Sequence, residues 1–274
     1  MGEFFAQYGV MIASLAAAGV AAGIAAGLFG IGGGAVIVPV LYFLLTALGY
    51  GETAMHVAVA TSLATIILTS IRSVMAHNRR GAVDWSILRG WAPWIMLGAV
   101  IGQAIAGFIS KETLTFIFGG LLLILAMQLY FGRPSWKLAD DLPKGAPRAG
   151  LGSVLGALSA IMGIGGGTFG VSLMTVCGRP IHQAVATAAG FGVAIGLPGA
   201  AMAIGNGIGK EGLPPFSVGH VNLPAFALIS LCTVTMAPVG AALAHKLDAG
   251  VLRKLFGVLL VLVSIRMIWK VIAG

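Results

Sequence analysis

The sequence predicts an all-α polytopic membrane protein made of two inverted-topology repeats. Three observations carry this. First, the 274 residues are 58% hydrophobic and only 9% charged, with mean hydropathy +1.02, whereas soluble domains carry about 25% charged residues. Second, the apolar runs are continuous and about 20 residues or longer, as membrane helices require, and lack the alternation of a membrane β-barrel. Third, Gly30-Ile31-Gly32-Gly33-Gly34 recurs as Gly163-Ile164-Gly165-Gly166-Gly167, 133 positions later (163 − 30).

Residues 8–29 form a first apolar helix that ends at the glycine string. Its flank carries Glu3 and no Lys or Arg, unlike a signal peptide. Residues 35–48 follow, holding Pro39. Such a segment reaches about 21 Å at 1.5 Å per residue, too short for a hydrocarbon core of about 30 Å. A turn at 49–52 leads to long helices at 53–76, 85–109 and 112–131. The most polar stretch, 132–148, holds three prolines and both signs of charge and reads as a linker. The pattern then replays: 149–162, the second glycine string, 168–177, a turn at Arg179-Pro180, and long helices at 182–206, 219–244 and 249–272. Each repeat is thus a glycine-broken pair of short helices plus three long transmembrane helices. The expected parts are a first membrane half (1–131), a cytoplasmic linker (132–148) and a second membrane half (149–274).

Two further matches support duplication. His56-Val-Ala-Val-Ala-Thr61 answers His182-Gln-Ala-Val-Ala-Thr187, and Gly81, Val83 and Gly102 answer Gly219, Val221 and Gly240. Internal duplication is characteristic of secondary transporters. Charges give the handedness of the relation. The 77–80 loop is basic and belongs in the cytoplasm by the positive-inside rule, whereas its mate at 207–217 carries only Lys210 and Glu211. The 110–112 turn is nearly neutral, whereas its mate at 245–254 holds His245, Lys246, Arg253 and Lys254. Equivalent loops change sides, so the repeats are inverted. Each glycine pair then contributes zero or two crossings, as a re-entrant hairpin or as tilted helices broken at the glycines. Both termini come out non-cytoplasmic, in a cell (inner) membrane protein.

Several function classes are excluded. The net charge of +8 sits at segment ends with no basic face interleaved with aromatics, so nucleic acid is not a partner. Cys177 and Cys232 lie in apolar sequence as inert thiols, and no spacing suggests a metal or a cofactor. Gly30-x-Gly32-x-x-Ala35 is not a dinucleotide fingerprint, because no strand precedes it and no acid follows at the required spacing. Trp85, Trp91, Trp94, Trp136 and Trp269 read as interfacial anchors.

Non-helical backbone at membrane depth must be buried in protein or line a wet cavity. A helix starting at Gly34 or Ala35 points free N–H groups and a positive dipole end at the break. The second repeat offers an equivalent terminus near Gly167 and Thr168. An anion suits both. All eight acidic residues lie at or near segment ends, so no carboxylate stands at the midplane as a cation pump would want. The expected substrate-binding set is the backbone of Gly32, Gly33, Gly34 and Ala35 with that of Gly165, Gly166, Gly167 and Thr168, joined by Thr61, Ser62 and Thr187. Close helix packing is the alternative use of the glycines.

The first break with Pro39-Val40-Leu41, the run Ala58-Val59-Ala60-Thr61-Ser62-Leu63 and the second glycine string resemble the TauE/SafE sulfite exporter family over essentially the whole chain. The resemblance implies a permease for sulfite, sulfonates or related sulfur oxyanions, some relatives carrying other organic anions. The second half departs from the pattern: Ser172 stands where Pro39 stands, and Ala188 replaces Ser62.

His56 and His182 read either as interfacial helix-start residues or as anion contacts or proton acceptors for coupling. Thr61 and Thr187 bond either the preceding turn or substrate. Arg72 and Arg179 either snorkel to the surface or attract anions to a vestibule as gating residues. Two other functions stay open: carriage of a different small anion, and an intramembrane enzyme acting on a lipid-linked phosphate. The partners expected are a small anion, the bilayer and a coupling proton. Oligomeric state is not legible.

Overall fold

The computed structural model describes residues 2–29, 32–131, 139–243 and 249–272. Ten helices stand among the described residues: α1 (Gly2–Phe29), α2 (Gly34–Ala47), α3 (Ala54–Asn78), α4 (Trp85–Ala106), α5 (Lys111–Phe131), α6 (Ala146–Met162), α7 (Gly167–Val176), α8 (Ile181–Gly207), α9 (Leu223–Leu243) and α10 (Ala249–Ile272). A small antiparallel hairpin, β1 (Ser217–Val218) and β2 (Val221–Asn222), joins α8 to α9. Ala54–Asn78, Lys111–Gln128, Ile181–Gly207 and Leu223–Leu243 are long and apolar enough to cross a membrane by length and composition. The protein is an all-α membrane protein.

Two helix starts differ from expectation for local reasons. Pro147 sits in the first turn of α6, where its missing N–H is harmless, so the helix begins at Ala146. The expected 219–244 helix begins at Leu223, because the Asn222 side chain accepts the Ala225 N–H at 3.1 Å and caps it. Asp84 caps α4 in the same way, accepting from Ser86 and Ile87 at 3.0 and 3.1 Å.

The largest helix interfaces join first-half to second-half helices: α1 with α9, α4 with α6, α3 with α8, and α5 with α10. Exchanging α1–α5 for α6–α10 maps this pattern onto itself. It turns α1/α9 into α6/α4, α3/α9 into α8/α4, and α2/α3 into α7/α8. Directions follow from residue contacts. Gly192 of α8 abuts Ser70 and Ile66, while Gly196 and Gly199 abut Leu63. Repeat mates α3 and α8 therefore run antiparallel. In α1, Gly19, Gly23 and Gly27 lie successively on Ile229, Thr233 and Ala237, so α1 and α9 run the same way. Gly98 on Ser153 and Gly102 on Ala157 give α4 and α6 the same relation. Small residues four apart let these backbones touch. At Gly27 an added Cβ would stand 2.1 Å from the Ala237 carbonyl oxygen.

One interfacial assignment needs correction. Trp91 is 3% exposed and stands beside Gly152 of α6, because the α4/α6 contact covers that face of α4. Trp136 lies outside the described residues. Cys177 and Cys232 are both free thiols, the first buried and the second partly exposed.

Candidate functional site

Gly32 and Gly33 lead into α2, and Gly163 to Gly166 join α6 to α7; these are the two tips. Gly33 caps α2 at φ 79°, and Gly163 closes α6 at φ 63°, a left-handed conformation that glycine adopts without strain. Gly30 and Ile31 lie outside the described residues. The tips meet. A Cβ on Gly34 would stand 2.2 Å from the Gly163 carbonyl oxygen, and one on Gly32 would stand 3.0 Å from the Gly165 Cα. Gly32 borders Ile66 at the middle of α3 and Gly166 borders Phe191 and Ile195 at the middle of α8, whereas Gly163 borders Val59 in the second turn of α3. Two chain breaks thus cross backbone to backbone at mid-height of the long helices.

The helix starts offer donors here. Val36 and Ile37 already donate to the Gly33 oxygen, at 3.0 and 3.1 Å. Gly170 is the first amide to close the α7 ladder, onto the Gly166 oxygen at 2.7 Å. The earlier amides, Gly34 and Ala35 in α2 and Gly167, Thr168 and Phe169 in α7, have no acceptor inside their own helix. The Thr168 hydroxyl is buried with no hydrogen-bond partner among the described residues.

The other expected hydroxyls face elsewhere. Ser62 donates to the Gly163 oxygen at 2.7 Å and fixes the second tip. Thr61 accepts the Asn222 N–H at 3.0 Å, and Thr187 accepts the Asp84 N–H at 2.9 Å. These two bonds are repeat equivalents, each tying one half's long helix to a helix start in the other. A second equivalent pair exists: Asn206 donates to the Gln103 oxygen at 2.8 Å, and Arg80 to the Ala241 oxygen at 3.1 Å. Both pairs of side-chain hydrogen bonds thus join residues that the sequence alignment of the halves makes equivalent.

The packing beside the tips opens on one side only into a small crevice. Toward the Ala54 end of α3, a crevice is lined by His56, His220, Gln103, Asn206 and Leu114. The two imidazoles stack, with centroids 5.4 Å apart and planes 29° apart, and His56 Nε2 lies 3.2 Å from the Ile109 oxygen. Burial, and secondarily His56, push the His220 imidazole down to about 4. His182, the mate of His56, is exposed instead. His220 escapes a repeat-based reading because its mate is Ala82. Toward the Asn78 end, Ala26, Gly32, Thr69, Ser70, Ser73 and Ala189 pack together with no room for a water molecule. Thr69 donates either to the Thr65 oxygen at 3.0 Å or to the Thr233 hydroxyl at 2.7 Å. The sequence signal for this polar packing is Ser62, Thr65, Thr69 and Ser73 at helical spacing.

The arginines lie apart from the tips. Arg72 is on an exposed face of α3. Arg179, in the α7–α8 turn, donates to Asp141 at 2.6 Å and pins the end of the linker. The Leu142 amide first, then Arg179, hold the Asp141 carboxyl below the usual range. No cluster of three or more metal-ligating side chains occurs among the described residues.

The family model described as sulfite exporter TauE/SafE matches residues 15–267. A "Probable membrane transporter protein" of Haemophilus influenzae is 35% identical over 244 residues, 89% of this chain and 92% of its own. One from Methanocaldococcus jannaschii, "Probable membrane transporter protein MJ0441", is 25% identical over 90% of this chain and 91% of its own. "Probable membrane transporter protein YunE" of Bacillus subtilis is 28% identical over 93% of this chain and 97% of its own. No solved structure matches.

Proposed function

Since the chain belongs to the TauE/SafE sulfite exporter family, we propose that it is a secondary transporter carrying a small sulfur-containing oxyanion, sulfite or an organosulfonate, across the cytoplasmic membrane. The observation that carries this is the crossing of two helix-start breaks at mid-height of α3. Donors at the starts of α2 and α7 supply positive potential there without a fixed cation. Ser62 then holds the second tip in place, and Thr61 and Thr187 hold the starts of α9 and α4.

The antiparallel course of repeat mates α3 and α8 supports an inverted repeat of residues 1–131 and 149–274 around the linker. With α1 parallel to α9 and α9 parallel to α3, each glycine pair enters and leaves on one side, as a hairpin. By the positive-inside rule, the basic 77–80 loop supports a reading with the Asn78 end of α3 in the cytoplasm and both termini outside. Alternating access follows from motion across the α3/α8 contact. The bodies that move are mixed, α1, α3 and α9 against α6, α8 and α4, each trio packed within itself, with the extensive α3/α8 contact as the surface on which they slide. The stacked His56 and His220 stand in the outer crevice, where a coupling proton would enter.

Purified protein in liposomes tests the reading. Sulfite or ethanesulfonate is expected to cross, and sulfonates are expected to compete better than carboxylates. Preference for a carboxylate would move the substrate to another small anion; absence of any anion flux would end the transporter reading.

A further inference from the structure

Away from the tips, α10 carries two cations near its Ile272 end. Arg266 and Lys270 stand four residues apart, one helical turn. The Arg266 guanidinium lies 4.7 Å from the centre of the Phe43 ring, and the Lys270 ammonium 5.2 Å from that of Tyr42. Both rings belong to α2, the arm that begins at the first tip. Neither cation makes an ion pair among the described residues. Glu52, just after α2, and Glu112, in the first turn of α5, bond Lys111 instead. Like charges at this spacing repel each other, so the pair lacks a counter-charge.

The rings leave the donors of both groups free. A guanidinium stacked on a ring uses its face, and its N–H donors stay in the plane, at the edge. An ammonium over a ring keeps donors that point away from it. Arg266 is exposed and Lys270 half-buried, so these donors open onto the outside of the bundle. The setting there is the edge of the bilayer. Trp269 is 69% exposed, as suits a ring at headgroup level. Arg266 lies six residues before the helix end, about 9 Å at 1.5 Å per residue, within the reach of a snorkelling side chain. One turn deeper, Leu262 and Ile265 are exposed apolar surface against which an acyl chain can lie.

The other repeat shows the same position without charge. Phe118-Gly119 answers Phe256-Gly257 at the offset of the last helices, 138 (256 − 118), which makes Gln128 the mate of Arg266. Gln128 donates to the Ser172 hydroxyl of α7, the mate of α2. One half therefore closes its last helix on its arm with a neutral hydrogen bond. The other half sets cations there, and α10 touches α2 only lightly.

We propose that Arg266 and Lys270 bind the phosphate of one anionic phospholipid of the phosphatidylglycerol type, which ties α10 to the α2 arm. The phosphodiester of such a lipid brings one negative charge and no cation of its own, whereas phosphatidylcholine brings a cation that competes with the pair. Planar donors and a neighbouring ammonium suit phosphate oxygens, and basic pockets beside membrane helices recognise anionic headgroups in this way. The site is independent of the transported anion.

The full chain in detergent, titrated with phosphatidylglycerol or phosphatidylcholine and followed by native mass spectrometry and thermal melting, tests this. Wild type is expected to retain one phosphatidylglycerol about tenfold more tightly than phosphatidylcholine, the worth of a hydrogen bond to a charged group, and to melt higher with it. Arg266→Gln with Lys270→Gln is expected to lose the preference, and each single variant to fall in between. Arg89→Gln, which removes an exposed cation at the start of α4, is expected to bind as wild type does. All variants are compared as monodisperse protein with equal melting in phosphatidylcholine. Equal retention of the two lipids by wild type, an undiminished preference in the double variant, or an equal loss in Arg89→Gln overturns the site. A melting shift reproduced by inorganic phosphate without lipid would assign the cations to a free anion and overturn the lipid.

Discussion

Gly34 shows how little freedom the tip leaves. A methyl group there would stand 2.2 Å from the Gly163 carbonyl oxygen, whereas one at Gly120 meets nothing within 4 Å. The obstacle is backbone held by Ser62, so it cannot step aside. Gly34→Ala is expected to destabilise by about 1–3 kcal/mol, the cost of overpacking, and Gly120→Ala to leave the melting temperature unchanged in detergent. His220 gives a pH dependence. Its pKa falls from 6.5 to about 4 on folding. The unfolded chain therefore binds the extra proton first as pH drops. The contribution from neutral His220 is complete above about 6.5 and is lost progressively as pH falls toward 4. Thermal melts between pH 7 and 4 are expected to show this loss, and His220→Gln to flatten it. A steeper loss in the variant would remove His220 as the cause.

The helices are held by paired devices that follow the repeat. Thr61 on α3 serves the start of α9, and Thr187 on α8 serves the start of α4. Interhelical hydrogen bonds in membranes contribute about 0.6 kcal/mol each, with a maximum near 1.7. Thr61→Val and Thr187→Val are each expected to lower stability by roughly 1 kcal/mol, because an amide loses its acceptor. The double variant should be additive, as these bonds belong to different interfaces. Chemical unfolding of the four proteins checks this; strong coupling would mean that the two bonds report one event. At the end of α10, Arg266 stacks 4.7 Å from the Phe43 ring and Lys270 lies 5.2 Å from the Tyr42 ring. Two cations are thereby seated over the α2 arm.

Across the whole molecule, the inverted arrangement predicts the sidedness of loops. With Cys177 and Cys232 replaced, a single cysteine at Arg79 and one at Ile208 are expected to react with a membrane-impermeant maleimide from opposite sides. Labelling from the same side would refute the inversion. The interleaving of first-half with second-half helices also means that neither half has a complete partner set. A chain cut within the linker should work only when both pieces are made together, and a half that folds alone would contradict the observed packing.

The membrane class, the number of helices among the described residues, and the recurrence of the glycine string and of the His56/His182 run were legible in the sequence. Each follows from one-dimensional facts: hydropathy over a span, charge at segment ends, and letters that recur. What the tertiary structure decided is how partners are shared. Gly32 and Gly34 meet Gly165 and Gly163 directly, so the tips fill the centre and leave a small crevice beside it. Thr61 and Thr187 bond helix starts in the opposite half. His56 finds His220 and not its repeat mate His182. The physical reason is that a hydrogen-bond acceptor or a close-packed methyl acts over a few ångströms, between residues here more than a hundred positions apart. Periodicity shows that α3 carries a hydroxyl face; only the neighbours packed around that face leave the Ser73 hydroxyl buried with no partner among the described residues.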